Sequence, residues 1–189
     1  MKGYEIIRIA CQFSENDEIA EKLTEANLST LDEILSAKER KRLEIYLDCL
    51  NFVQDEIACE YKPLIHEEEF KIQNFKLNIS ALSKPLQEVL SICDLKGRDV
   101  KFKLFPTYLL VFANEVMVRY SYKPNKATIE GDIEINLPER IFAYGVAREF
   151  YLRQGLTDEA YIYENSFKNS LKIVLRKKTK TILSRRRWL

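Results

Sequence analysis

The sequence predicts an α+β protein: a helical bundle drawn from both chain ends, a small antiparallel β insert, and an extended basic C-terminal tail. Three observations lead there. Apolar residues recur at three- and four-residue steps in the first third and again after Pro138, the period of one buried helix face. Between Phe70 and Tyr122 they alternate with polar residues instead, the period of a strand. From Asn165 onward there are nine basic residues and no acidic one. The expected division is a bundle from residues 1–66 and 138–178, a β insert over 67–137 and a docking tail over 179–189.

Taken in order, Tyr4 to Phe13 carries Ile6, Ile7, Ile9 and Ala10 at helical spacing, and Ser14 is placed to cap a second segment from Glu15 to Leu23. Thr30-Leu31-Asp32-Glu33 matches a capping box, in which the threonine accepts a backbone bond and the glutamate returns one. The most regular helix runs from Lys38 to Tyr61, with Leu43, Tyr46, Leu47, Leu50, Val53, Ile57 and Tyr61 inward, and Pro63 stops it. Phe70, Ile72, Phe75, Leu77 and Ile79 follow a strand period with a slip at Gln73-Asn74 that suggests a bulge. Leu86 to Cys93 fits either a helical turn or a strand. Val100, Phe102 and Leu104 follow a Lys96-Gly97-Arg98 turn, and Tyr108–Phe112 with Val116–Tyr122 reads as a hairpin.

Pro138 suits the first turn of a helix whose inner stripe is Ile141, Tyr144, Ala147, Phe150 and Tyr151. Gly145 in that stripe costs about 1 kcal/mol relative to alanine. It therefore predicts close approach of another helix, either Lys38–Tyr61 or Thr157–Lys178. Gly155 ends the segment, Thr157 is placed to cap the next, and Ala160, Tyr163, Phe167, Leu171 and Val174 form its stripe.

Composition bounds the function. The 189 residues, 46% hydrophobic and 31% charged, suit one globular domain. No apolar run approaches the roughly 20 residues of a membrane helix, and the first residues lack a signal-peptide pattern, so a cytoplasmic protein without membrane contact is expected. Cys11, Cys49, Cys59 and Cys93 form no C-x-x-C pair and read as small buried apolar residues. The net charge of +1 conceals an acidic front, with 17 acidic and 8 basic residues from Met1 to Glu69. Acidic front and basic tail suit head-to-tail contact between copies, an acidic partner, or nucleic acid.

No phosphate-binding glycine loop occurs. The single histidine, His66, reads as a loop residue, and Glu67-Glu68-Glu69 as a solvated turn rather than a cation site. No catalytic residue, metal ligand or cofactor is assigned, and a non-enzymatic protein is expected. The aromatics Phe70, Phe75, Phe102, Phe105, Tyr108, Phe112, Tyr120 and Tyr122 read as sheet core or oligomer interface before a base-stacking surface. The tail holds Arg176, Lys177, Lys178 and Lys180, then Arg185, Arg186, Arg187, Trp188 and Leu189. Its bland reading is a frayed basic helix end. The only tryptophan beside three arginines favours partner binding through Arg185 to Leu189, because these residue types dominate binding hot spots.

Three stretches carry a resemblance: Leu47 to Leu64 (LDCLNFVQDEIACEYKPL), Val118 to Pro124 (VRYSYKP), and Ala143 to Tyr151 (AYGVAREFY) followed by a helix and RRRWL. Together they resemble the head-tail connector (adaptor) structural proteins of tailed bacteriophages, from about residue 43 to the end. The resemblance implies a ring, commonly of twelve subunits, docked on a portal protein by its tails and contacting other tail or connector proteins. Such a ring lines the DNA passage, touches phage DNA transiently and without sequence specificity, and moves from the host cytoplasm during assembly to the virion neck. Two other classes stay open: a nucleic-acid-binding regulator using the basic last helix, and an enzyme without a recognisable motif.

Overall fold

The computed structural model describes residues 1–72 and 74–176. It is a mixed helix-and-sheet structure with small antiparallel sheets. Six α-helices, α1 (Gly3–Phe13), α2 (Asp17–Lys22), α3 (Leu31–Ile34), α4 (Ala37–Glu56), α5 (Glu139–Arg153) and α6 (Thr157–Leu175), flank six strands. The strands are β1 (Leu64–Lys71), β2 (Lys76–Asn78), β3 (Leu86–Asp94), β4 (Phe102–Leu104), β5 (Tyr108–Val111) and β6 (Glu115–Tyr122).

The central helix is α5, packed against α1, α4 and α6. Its Ile141, Phe142, Ala143, Val146, Ala147 and Phe150 are all buried, so it is apolar around most of its girth rather than along one stripe. Tyr144 and Tyr151 of the expected stripe are only half-buried. Gly145 lies where three helices converge. A Cβ there would stand 2.6 Å from Cγ1 of Val53 on α4 and 3.2 Å from Cε2 of Phe167 on α6. The segment after β6 joins this cluster through Ala127, Ile133, Ile135 and Leu137, and the N-terminus is pinned to it by backbone bonds from Gly3 to Gly131 and from Tyr4 to Ile129.

Caps differ from the sequence expectation. Thr30 precedes α3 but makes no side-chain cap; its hydroxyl donates to the Asn27 carbonyl at 3.3 Å. At the start of α4 a capping box does form: the Ser36 hydroxyl accepts from the Glu39 N–H and the Glu39 carboxylate accepts from the Ser36 N–H. Ser14 closes the end of α1 instead of capping α2: its hydroxyl donates back to the Ala10 carbonyl at 2.7 Å and meets the buried Tyr46 hydroxyl, while α2 starts after Asn16. Thr157 is the first residue of α6 and Leu156 stands at the cap without a side-chain bond. Gly155 ends the preceding turn at φ +76°, a left-handed conformation that suits glycine. Val174, placed on the inner stripe of the last helix by its spacing, is exposed.

The strands form two three-stranded antiparallel sheets, β1-β6-β3 and β2-β5-β4, whose inward residues share a second apolar cluster that includes Val118, Tyr120, Leu109 and Val111. This corrects two expectations. The slip at Gln73-Asn74 is no bulge within one strand: Asn74 and Phe75 take positive φ, and the chain passes from one sheet to the other. Likewise β5 and β6 are not a hairpin, since each is the central strand of a different sheet. The stretch Leu86 to Cys93, whose spacing fits either a helical turn or a strand, lies in the strand β3. His66 lies within β1, opposite Tyr120, and not in a loop.

Candidate functional site

At the end of α4 the backbone widens into a π-helical turn, Ile57–Tyr61, closed by the bond from Lys62 N–H to the Ile57 carbonyl at 2.7 Å. Such turns recur at functional positions because they re-aim the side chains that follow. Here Ile57 and Ala58 stay buried, whereas Cys59 and Glu60 face outward. Beside them a groove of about 640 Å³ opens between α4, α5 and the first turns of α6. Its apolar lining comes from Phe52, Leu152, Ala160 and Tyr161; Phe52 is 53% and Tyr161 67% exposed.

Five carboxylates line the same groove, Asp55, Glu56, Glu60, Glu149 and Glu164, against one cation, Arg148. The Arg148 side chain is only 7% exposed. Its guanidinium binds Glu56 through both terminal nitrogens, Glu164 at 2.7 Å and Glu149 at 2.8 Å, and stacks over Phe167. Burial alone disfavours its charge, but the hydrogen bonds to Glu56 and Glu164 outweigh burial and raise its pKa. The Glu164 carboxyl is also pushed up by burial, yet hydrogen bonds from Lys168 and Arg148 hold it below its ordinary value. Arg148 and Lys168 together cannot neutralise five carboxylates, so the groove remains an acidic, partly apolar surface suited to a cationic, aromatic group.

A second polar cluster surrounds His66. Glu68 accepts hydrogen bonds from the Tyr120 hydroxyl and, at 2.6 Å, from the Ser83 hydroxyl, while His66 Nε2 lies 3.3 Å from Glu68. These bonds tie the loop before β3 across β1 and β6, so the cluster holds the sheet together. Among the described residues no group of three His, Cys, Asp or Glu stands close enough to hold a metal ion. The expectation that all four cysteines are buried needs correcting: Cys11 and Cys49 are, Cys93 is half-buried and Cys59 is exposed. No described helix is long and apolar enough to cross a membrane.

Of the residues singled out by sequence, Gly145 lies at the α4–α5–α6 convergence and Arg176 is exposed just past α6. Lys177, Lys178, Lys180, Arg185, Arg186, Arg187, Trp188 and Leu189 lie outside the described residues. The acidic groove was missed by sequence reading. Its one local signal was Arg148, a charge directly after the uncharged, largely apolar stretch Ile141 to Ala147. No protein-family model matches the chain, and none of the curated proteins compared with it matches either.

Proposed function

We propose that this protein is a virion structural subunit of a head-tail connector ring that docks on a portal ring and lines the passage for DNA. The observation that carries the reading is the presence of two separate apolar surfaces on one chain. One is the helical groove with Phe52, Leu152 and Tyr161; the other lies on the β region, where Phe75 is 50% and Phe112 57% exposed, with ring centroids 6.1 Å apart. Aromatic side chains are enriched where proteins meet one another. Two unlike faces are what a heterologous, ring-closing contact requires, since each copy then meets its neighbours through different surfaces. The resemblance of the three sequence stretches to connector proteins supports the same reading, as does the separation of an acidic front from a basic tail.

Light scattering on the protein alone and mixed with portal protein tests the proposal. A discrete oligomer, or a complex formed on addition of portal, is expected. A monomer that ignores portal at high concentration overturns it. Duplex-DNA titration separates this reading from a DNA-binding regulator: a regulator shows sequence-selective affinity falling steeply with salt, and a connector shows weak, unselective binding.

A further inference from the structure

Resting on the reading of the chain as a self-assembling subunit, we infer that the acidic groove between α4, α5 and α6 receives the Arg185–Leu189 segment of a neighbouring copy. Charge and shape point to this occupant. Between Arg176 and Leu189 the chain has seven basic residues, no acidic one and its only tryptophan. The groove offers the complement: an apolar floor on which an indole can lie between Phe52 and Tyr161, with five carboxylates around it, of which Asp55 and Glu60 make no ion pair among the described residues. Guanidinium groups pair with carboxylates in a two-pronged geometry, and an aromatic anchor flanked by arginines is the composition of a binding hot spot.

The neighbour's tail fits better than the chain's own. Thirteen extended residues after Arg176 span at most about 47 Å, and Ala160 lies only about 24 Å back along α6, so length alone permits either source. The direct return path, however, runs from Arg176 along the α6 face of Lys172, Lys168 and Glu164, each one helical turn from the next. Lys168 is already paired with Glu164 at 2.5 Å. A tail bringing Lys177, Lys178 and Lys180 back over Lys168, Lys172 and Arg176 would set like charges side by side. A copy approaching from outside reaches the carboxylates without crossing them.

The test uses the full chain, because Trp188 is its sole indole and Cys59, exposed in the groove, is a thiol that a docked tail would cover. Trp188 emission, molar mass by light scattering and Cys59 alkylation rate are followed over a dilution series. As concentration rises, the emission should shift to the blue together with the growth in mass, and Cys59 should lose reactivity. Tyr161→Ser and Phe52→Ser, both at exposed positions, should each move the midpoint by about tenfold or more to higher concentration. Ile173→Ser, on an exposed part of α6 outside the groove lining, should leave it in place. A blue-shifted emission in the monomer at every dilution would place the tail in its own groove and overturn the inference. So would assembly that leaves Cys59 fully reactive, or assembly indifferent to Tyr161→Ser. Emission of a water-exposed indole until portal protein is added would also overturn it while leaving the connector reading intact. Tail-in-groove assembly without portal binding would do the reverse.

Discussion

Gly145 and Val53 meet at a distance that no side chain on α5 could share: a Cβ on the glycine would come within 2.6 Å of Val53 Cγ1. Val53 is fully buried, so its methyl has no free space to move into. Gly145→Leu should therefore destabilise the protein by about 1–3 kcal/mol through overpacking, and Gly145→Ala should destabilise it too, despite alanine's better helix propensity. Thermal melting checks both, and Val53→Ala should recover part of the loss for Gly145→Ala. An unchanged or raised melting temperature would contradict the packing.

Replacing Arg148 with methionine leaves Glu56 and Glu149 without their cation, and Glu164 with Lys168 alone. Breaking a buried ion pair on one side costs about 3–5 kcal/mol, and the partial exposure of these carboxylates puts the expected loss at the low end. Denaturant unfolding should show the deficit shrinking as pH falls, because the released carboxylates can then be neutralised by protons. Arg148→Lys should recover little, since an ammonium cannot span both Glu56 oxygens.

Acid should loosen the contact between α2 and α4. Hydrogen bonds from Lys22, and from the Ser36 hydroxyl and backbone, hold the Glu39 carboxyl down at about 2, against an ordinary value of 4.5. A carboxyl depressed by folding contributes stability in full above its unfolded value and loses it as pH falls through the folded one. The contribution of this clamp should thus fade between pH 4.5 and about 2. The slope of stability against pH in that window should be smaller in Glu39→Gln; an identical slope would remove Glu39 from the acid response.

Thiol labelling should be ordered by position. Burial pushes the Cys11 and Cys49 thiols up to about 12, which suppresses their reactive thiolates as well as blocking access. In dilute native protein iodoacetamide should modify Cys59 first and leave Cys11 and Cys49 untouched until denaturant is added, as read by mass spectrometry of digests. Early modification of Cys49 would show that α4 and α5 separate in solution.

Removing residues 184–189 should leave the melting temperature nearly unchanged while abolishing attachment to partners. Trp188→Ala alone should cost about 2 kcal/mol or more of binding if the indole is the anchor. A truncated protein that unfolds, or one that still assembles normally, would take the segment out of the mechanism.

Much of the helical part is legible in sequence because its signals are local. The three- and four-residue rhythm from Leu43 to Ile57 and the glycine at 155 each act within a turn or two of themselves. The sheets were only half legible. Alternation shows that Tyr108–Val111 and Glu115–Tyr122 are strands, but not that β6 pairs with β1 and β3 while β5 turns to β2 and β4. Pairing partners are set by which apolar faces bury together, a property of the whole chain. The capping-box pattern at Thr30 was misleading, because the same pattern recurs at Ser36-Ala37-Lys38-Glu39 and only there do the cap hydrogen bonds form. The groove was least legible, because Glu56 and Arg148 lie far apart in sequence and only the α4–α5 contact brings them together.

The arrangement around α5 also sets an order of events during synthesis. Strands β1 to β6 find all their partners between Leu64 and Tyr122, so the two sheets can pair as soon as that stretch has left the ribosome. Helices α1, α2 and α4 are made earlier, and α1 touches both of the others. The faces of α1 and α4 that meet α5, and Val53 of α4 where it converges with Phe167 of α6, nevertheless stay open until Phe142, Val146 and Phe167 emerge much later. Until then the first third of the nascent chain carries uncovered apolar surface, a hazard for aggregation that chaperones meet in slowly closing proteins. The piece made first is thus the piece finished last, and truncated chains ending before Glu139 should be sticky rather than merely inactive.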